Sequence, residues 1–470
     1  MKKSLAQKLG NLRDNLICTG IILFILSQLS ILFSVDFLDV VQNTVEDFYI
    51  TDYVSSGGFP EAEKDTNIVL VNIGHLNRRE IAEQIMIINS YKPKVIGIDA
   101  TFFKPKIHYQ YSNEIDSMPE EIAQIAGENA ALIPSASIPP DMLFKIEENP
   151  ATGQIDTFYL TAAYDTLDFY LEYAFSKVEN MILVNKLEET EDKIHFKELS
   201  NPIPRFLQQV STGFANMITD DEQDYRTVRY YAPFRIAGGD TVYSFAVEIA
   251  KIVAPEKARR FLERDNLKEV IRYRRNTDKY TTLDYTDVFQ KADSLQFLKD
   301  KIVIICFLGT NINTVVTEDN FFTPMNDSYY GRAYPDMYGG VIHANVVSMI
   351  LDEEYIGSMD AWPEWVKVFL ITGSLVFFNM ILLNFIRIKH DNWYEPLSVG
   401  ITITEIILMF LIIINVYKFL NFEIKLIALF YAIVLSGTIF ETYHGSLKPI
   451  VIFYFNKIFR RTKAARGGVQ

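Results

Sequence analysis

The sequence predicts an α/β fold: an extracytoplasmic, mostly parallel sheet with flanking helices, joined to α-helical transmembrane segments. Three observations predict it. Two apolar runs, 68–73 and 95–98, are hydrophobic on both faces instead of alternating, which is the pattern of buried parallel strands. Between them, 78–91 has helical spacing, and a strand–helix–strand unit of this kind crosses over right-handed in nearly all proteins. Four longer apolar runs lie at the ends of the chain, one before this unit and three after it.

In chain order, residues 1–15 form a basic flank with Lys2, Lys3, Lys8 and Arg13, followed by an apolar run over 16–34. That order places the N-terminus in the cytoplasm and residue 35 onward outside. A signal peptide is the alternative, but the apolar run is long and no small-residue cleavage site follows, so an uncleaved anchor is expected. Residues 35–362 are then one extracytoplasmic domain. Within it, 104–165 is weakly patterned and rich in proline, an insertion with one short helix near 119–126. A helix over 167–176 and a buried strand at 181–184 extend the sheet. The alternating stretch Tyr225–Tyr231, after the acidic turn Asp220–Asp224, reads as an antiparallel strand. A helix over 244–254, the very apolar strand 301–307, a polar loop over 312–338 and a helix over 341–351 complete the domain. Transmembrane segments follow at 363–386, 397–417 and 424–442, with a basic cytoplasmic tail at 443–470. Arg387, Lys389 and the tail then fall on the same side as the N-terminus, as positive-inside orientation requires.

Net charge is −14, but unevenly spread: 1–15 carries +3 and 441–470 carries +5, leaving −22 on 16–360. So acidic a middle is a poor nucleic-acid surface. Two cysteines, Cys18 and Cys306, both in apolar runs, exclude a disulfide framework, and six scattered histidines offer no zinc-ligand spacing. No cofactor and no metal is expected. The sequences G-x-S-x-G, H-E-x-x-H, G-x-G-x-x-G and C-x-x-C do not occur, so no catalytic residues are assigned.

In open parallel sheets ligands gather at the carboxyl ends of the strands. Asn72, His75, Asp99 and Thr101 stand there, and so do Gly309, Thr310 and Asn311 after the strand 301–307. A ligand site is therefore expected where the ends near Asn72, Asp99 and Gly309 meet. Each candidate has a plainer role beside it. Asp99 would cap the next turn; His343 and Asn345, opening a helix, would satisfy free N–H groups. Gly309–Asn311 lacks the spacing and lysine of a phosphate loop, and the turn at 220–224 lacks the glycine of a calcium loop. Glu405 lies roughly 12 Å inside the second C-terminal segment at the helical rise. A carboxyl group there faces a partner helix or a water cavity, and Asn379, Asn384 and Asn415 are its candidate partners.

These features resemble one family, the second type of CHASE domain, an extracellular sensory domain associated with cyclases and histidine kinases. The resemblance rests on Val69-Leu70-Val71-Asn72-Ile73, Lys92–Asp99, Gly213-Phe214-Ala215-Asn216, Leu298–Ile305, Thr323-Pro324 and, most specifically, Gly340-Val341-Ile342-His343-Ala344-Asn345. One anchor before the domain and three segments after it also fit the family's layout. The chain departs from the pattern in having Asn72-Ile73-Gly74-His75 where an acidic residue follows the first strand, and in lacking an Arg-Trp-Pro-Trp-like turn. The resemblance implies a sensory function. Because the tail is short, no fused kinase or cyclase is expected, and output would pass to a separate protein.

The leading expectation is a receptor-like protein of the inner (cytoplasmic) membrane that binds an unidentified small-molecule or envelope cue. A non-sensing envelope scaffold and an extracytoplasmic hydrolase are the alternatives. Expected partners are the lipid bilayer, the cue and a separate signalling protein, with homodimerisation left open and nucleic acid excluded.

Overall fold

The structure, a computed structural model, describes residues 2–33, 62–102, 107–112, 142–148, 155–164, 166–189, 196–202, 206–207, 210–217, 227–312, 314, 316–326, 334–358, 362–363, 366, 371–424, 427–455 and 457. The first helix is α1 (Lys2–Phe33). The sheet domain opens with β1 (Asp65–Asn72), α2 (Arg78–Ser90) and β2 (Val95–Asp99). A separate antiparallel sheet follows, β3 (Ile107–Ser112), β4 (Met142–Glu148) and β5 (Ile155–Tyr164), in the order β3-β5-β4. Next come α3 (Thr166–Lys177), β6 (Met181–Glu189), β7 (Phe196–Ser200), β8 (Ser211–Phe214), β9 (Tyr230–Tyr231), β10 (Phe234–Ala237) and β11 (Asp240–Tyr243). They are followed by α4 (Phe245–Val253), α5 (Pro255–Leu262), β12 (Glu269–Val270), β13 (Tyr280–Leu283), α6 (Tyr285–Gln290) and β14 (Ile302–Cys306). Two-residue strands β15 (Asn320–Phe321) and β16 (Met337–Tyr338) precede α7 (Gly339–Asp352) and β17 (Gly357–Ser358). The apolar helices are α8 (Gly373–Lys389), α9 (Tyr394–Leu420) and α10 (Ile427–Thr442), with β18 (Phe422–Glu423) between the last two.

Six strands, in the order β8-β6-β2-β14-β1-β13, pair in parallel, and β7, β10 and β11 extend the sheet past β6. The strand–helix–strand unit is present, but β14, from far along the chain, lies between β1 and β2. Alternation along each strand makes two cores. Ile68, Leu70, Ile302 and Ile304 face α4 and α7, whereas Val69, Val71, Ile96, Ile98 and Val303 face α2 and α3. Sequence accounts for α2 closely. Asn77 accepts from the Arg79 and Glu80 amides, and Glu80 returns a bond from the Asn77 amide at 2.8 Å. Such a capping box is worth about 1 kcal/mol, and Ile81, Ile85 and Ile88 supply the buried face.

Two expectations are corrected and two more lie outside the described residues. The strand over 225–231 is reduced to β9, antiparallel to β12. Upstream of it the Val228 amide bonds to the Phe322 carbonyl at 2.8 Å, so this backbone pairs with a loop, and residues 227–231 are buried without alternation. The segment 104–165, read as weakly patterned, contains β3, β4 and β5; its prolines fall outside those strands. The expected helix near 119–126 and the acidic turn 220–224 lie outside the described residues.

Among the described residues, two helical stretches are long and apolar enough to cross a membrane, Leu9–Gln28 and Tyr394–Leu420. The helices α8 and α10 are apolar but shorter in their described extents. Cys18 and Ile22 of α1 pack with Val376, Met380 and Leu383 of α8 and with Ala432 and Phe440 of α10. At the same end of this bundle Asp14 accepts from Tyr443 at 3.2 Å and from Lys448, and Asn384 donates to Asn15 at 3.2 Å.

Candidate functional site

Register brings Asn72, Cys306 and Asp99 side by side at the carboxyl edge of the sheet, since Asn72 pairs with Cys306 and Cys306 with Asp99. Residues in register on neighbouring strands share a face, here the face covered by α7. Their roles then separate.

Asn72 is fully buried and its amide is committed to the chain. Its nitrogen donates to Asp284 Oδ1 at 3.1 Å and to the Gly309 carbonyl at 3.0 Å. Its oxygen accepts from the Gly74 amide at 3.0 Å and the Leu308 amide at 2.9 Å. These four bonds fill the capacity of a carboxamide. Asp284 in turn caps α6 and accepts from the Ile312 amide at 3.3 Å. The ends of β1, β13 and β14 are thus tied into one knot. Gly309 lies within it at φ +96°, where a Cβ would stand 2.5 Å from the Thr314 carbonyl oxygen. Only glycine fits both restrictions.

Beside the knot Asp99 faces α7. The first turn of this helix lies so close to β14 that a Cβ on Gly340 would be 2.3 Å from Cys306 Sγ and 3.8 Å from Asp99 Oδ2. A Cβ on Gly339 would be 3.1 Å from either carboxylate oxygen of Asp319. Two carboxylates therefore border one helix N-terminus, where the helix dipole favours negative charge, and they are close enough to repel each other. His343, one turn further along α7, is 6% exposed and places Nε2 3.9 Å from Asp99 Oδ2. That is too long for a hydrogen bond, and Nε2 has no other hydrogen-bond partner among the described residues. The imidazole is held edge-on by Phe245, with ring centroids 5.2 Å apart. Burial pushes the Asp99 carboxyl above its usual range, against the opposing effect of His343, and pushes the His343 imidazole below its usual range. Burial therefore favours the neutral form of the His343 imidazole. Burial, with the two nearby carboxylates, also raises the Cys306 thiol well above the ordinary range, which favours the protonated thiol over the thiolate.

The remaining sequence candidates spread around this centre. His75 is exposed and its ring meets Phe307 at 5.7 Å; Thr101 is exposed just past β2. Thr310 and Asn311 follow Gly309 in a turn closed by the Thr314 amide on the Asn311 carbonyl at 3.0 Å. Asn345 does not open its helix, which begins at Gly339, and it satisfies no N–H of that helix. Its oxygen accepts from the Arg274 and Arg275 amides at 3.1 and 3.2 Å, and its nitrogen donates to the Arg275 and Val341 carbonyls. It fastens α7 to the chain at 274–275. Glu405 accepts from Asn379 at 2.9 Å, as the sequence allowed, whereas Asn384 bonds Asn15 and Asn415 its own helix at Leu411. Asp319 carried no sequence signal, being one of four acidic residues in a polar loop; its place at the helix start is set by long-range packing.

From α7 a continuous set of bonds leads to the apolar helices. Met349 Sδ accepts from the Arg272 amide, and the Arg272 side chain pairs with Glu354 at 3.4 Å and donates to Asn421 Oδ1 at 2.5 Å. Asn421 begins the turn between α9 and α10 at φ +50°. There β17 pairs in parallel with β18, and Tyr230 donates to Glu423 at 3.2 Å. Tyr417 of α9 is buried against Tyr230, Val270 and Ile356 of the sheet domain.

The molecule is thus an α/β domain whose last helix is bonded into a bundle of apolar helices. The family model of the CHASE2 domain matches residues 49–380. The chain belongs to the CHASE2 family, a family of extracellular sensory domains, as the stretches at β1, β2, β14 and α7 implied. No curated protein and no solved structure matches the chain.

Proposed function

We propose that this protein is a receptor-like sensor of the cytoplasmic membrane. Its sheet domain lies outside the cytoplasm, receives a cue at the carboxyl edge of the sheet, and signals through four membrane helices to a separate protein. The observation that carries this reading is the joint between α7 and the α9–α10 turn. A domain that merely hung from an anchor would need no buried arginine bridging it to the turn between two apolar helices. Sensor-family membership and the grouping of Arg13, Asp14 and Lys448 at one end of the bundle support the orientation.

An export-dependent reporter is expected to be active when fused after Glu353 and inactive when fused after Asp391. Equal results at the two sites would contradict the topology.

Signalling is tested by chemical crosslinking in native membranes followed by pull-down. The cytoplasmic proteins recovered with the unaltered chain, with Asp99→Asn and with Arg272→Ala are compared. A sensor changes its captured partners, in identity or amount, when either position changes; identical captures from all three contradict the reading. Removing 456–470 locates the docking surface. Loss of capture assigns it to the tail, and retention assigns it to the helices around Glu405, leaving the tail as a basic anchor on anionic lipid.

A further inference from the structure

We propose that the sheet end at Asp99, Asp319 and His343 binds a small organic cation bearing N–H donors, such as a protonated amine or an amidine-type group. The proposal names the ligand class for the edge already described, and depends on the sensor reading only for the claim that this ligand is the cue.

Three features of the site converge on that chemistry. First, its groups accept once a cation displaces their acid protons, since burial raises the Asp99 carboxyl and, with Asp99 beside it, lifts the Asp319 carboxyl to about 8. Asp99 and Asp319 border the same helix turn, and among the described residues neither is paired with a lysine or arginine. Second, His343 Nε2 is buried, lacks a hydrogen-bond partner and is aimed at Asp99. With its proton on Nδ1 the neutral ring presents Nε2 as a further acceptor. The 3.9 Å between Nε2 and Asp99 Oδ2 is too long for a direct bond. One donor atom at about 2.8 Å from each bridges that span at close to a right angle, an approach open to two N–H bonds of an ammonium group. Third, the cluster is graded from outside to inside. Asp319 is exposed, the Asp99 side chain is 13% exposed and that of His343 is 8% exposed. A cation meets Asp319 first and its donors reach His343 last. The −22 charge over 16–360 favours accumulation of cations around the domain.

A divalent metal fits less well, because among the described residues no three His, Cys, Asp or Glu groups converge as metal ligands. A quaternary ammonium has the charge but no N–H to give to His343, and so makes the sharpest control.

The test uses the full chain in lipid nanodiscs. Thermal stabilisation is titrated with ethanolamine, putrescine and agmatine, against choline as the quaternary control, ethylene glycol as the neutral control, and magnesium and zinc ions. The expected result is saturable stabilisation by at least one N–H cation, with choline and ethylene glycol inactive. The half-saturating concentration should rise at least tenfold in Asp99→Asn and in Asp319→Asn. Asp319 lies in an exposed loop, so its variant keeps the comparison valid if Asp99→Asn fails to fold. His343→Phe, which removes the acceptor, should weaken N–H cations and leave choline inactive. The proposal is overturned if no N–H cation stabilises the protein, if choline does so equally, if Asp319→Asn leaves the titration unchanged, or if a metal ion alone acts through these residues. Any of these results, with crosslinking still responsive to Asp99→Asn, removes the cation site and leaves the sensor reading standing.

Discussion

Replacing Gly340 with alanine is expected to destabilise the sheet domain by about 3 kcal/mol or more, at the upper end of what overpacking costs. The new methyl group would stand 2.3 Å from Cys306 Sγ and 2.4 Å from Cys306 Cβ. Neither side can yield easily. Cys306 is fully buried in β14, and nearly all of α7 is buried. A loss of this size lowers the melting temperature by roughly 4–5 °C in a domain of more than 300 residues, at about 2.1 cal/mol/K of unfolding entropy per residue. The double variants give the diagnosis. Cys306→Ala removes the sulfur but keeps the clashing Cβ, so it should recover little in the Gly340→Ala background. Cys306→Gly should recover more. Equal recovery by both would mean that the sulfur, and not the strand itself, limits the approach of α7.

Asn72→Ala is expected to cost about 3–5 kcal/mol. The variant loses four hydrogen bonds and strands the Leu308 amide and the Gly309 carbonyl in the interior, with Gly74 and Asp284 half-buried beside them, and each buried orphan costs about 1–3 kcal/mol. Asn72→Asp preserves the acceptors for the Leu308 and Gly74 amides, but sets a second carboxylate against Asp284 and a carbonyl, so it should rescue little. Denaturant unfolding measures the loss, and amide exchange at Leu308 locates it. A cost below 1 kcal/mol for Asn72→Ala would show that the three strand ends hold together without this knot.

Much of the sheet was legible because its strands are apolar on both faces. Ile68–Val71, Val95–Ile98 and Ile302–Ile305 announce themselves locally, and so does α2 with its capping box at Asn77 and Glu80. Strand order was not legible, since nothing local tells β14 to enter between β1 and β2. The convergence of Asn72, Asp99 and Gly309 followed from the rule about strand ends, but their division of labour did not. Asn72 looks like a ligand residue in sequence and becomes a saturated tie because Asp284, far along the chain, folds against it. Asn345 looked like a helix cap because the helix was expected to start at Val341; it begins at Gly339, where the bare Cα atoms of Gly339 and Gly340 leave room for the Asp319 carboxylate and for Cys306 of β14. Asp319 and Arg272 left no sequence signal, as each acquires its place only when α7 docks.

The central claim, that events at the Asp99 edge reach the membrane helices, is tested most directly by hydrogen–deuterium exchange on the full chain in nanodiscs, with Asp99→Asn as the perturbation. The Asn345 and Arg272 bonds form the one structural route proposed between the two ends. The account predicts altered exchange in 339–352, again at 271–275, and again at the 356–358 and 420–424 joint. A change confined to the first turn of α7, with the joint exchanging as in the unaltered protein, would contradict it.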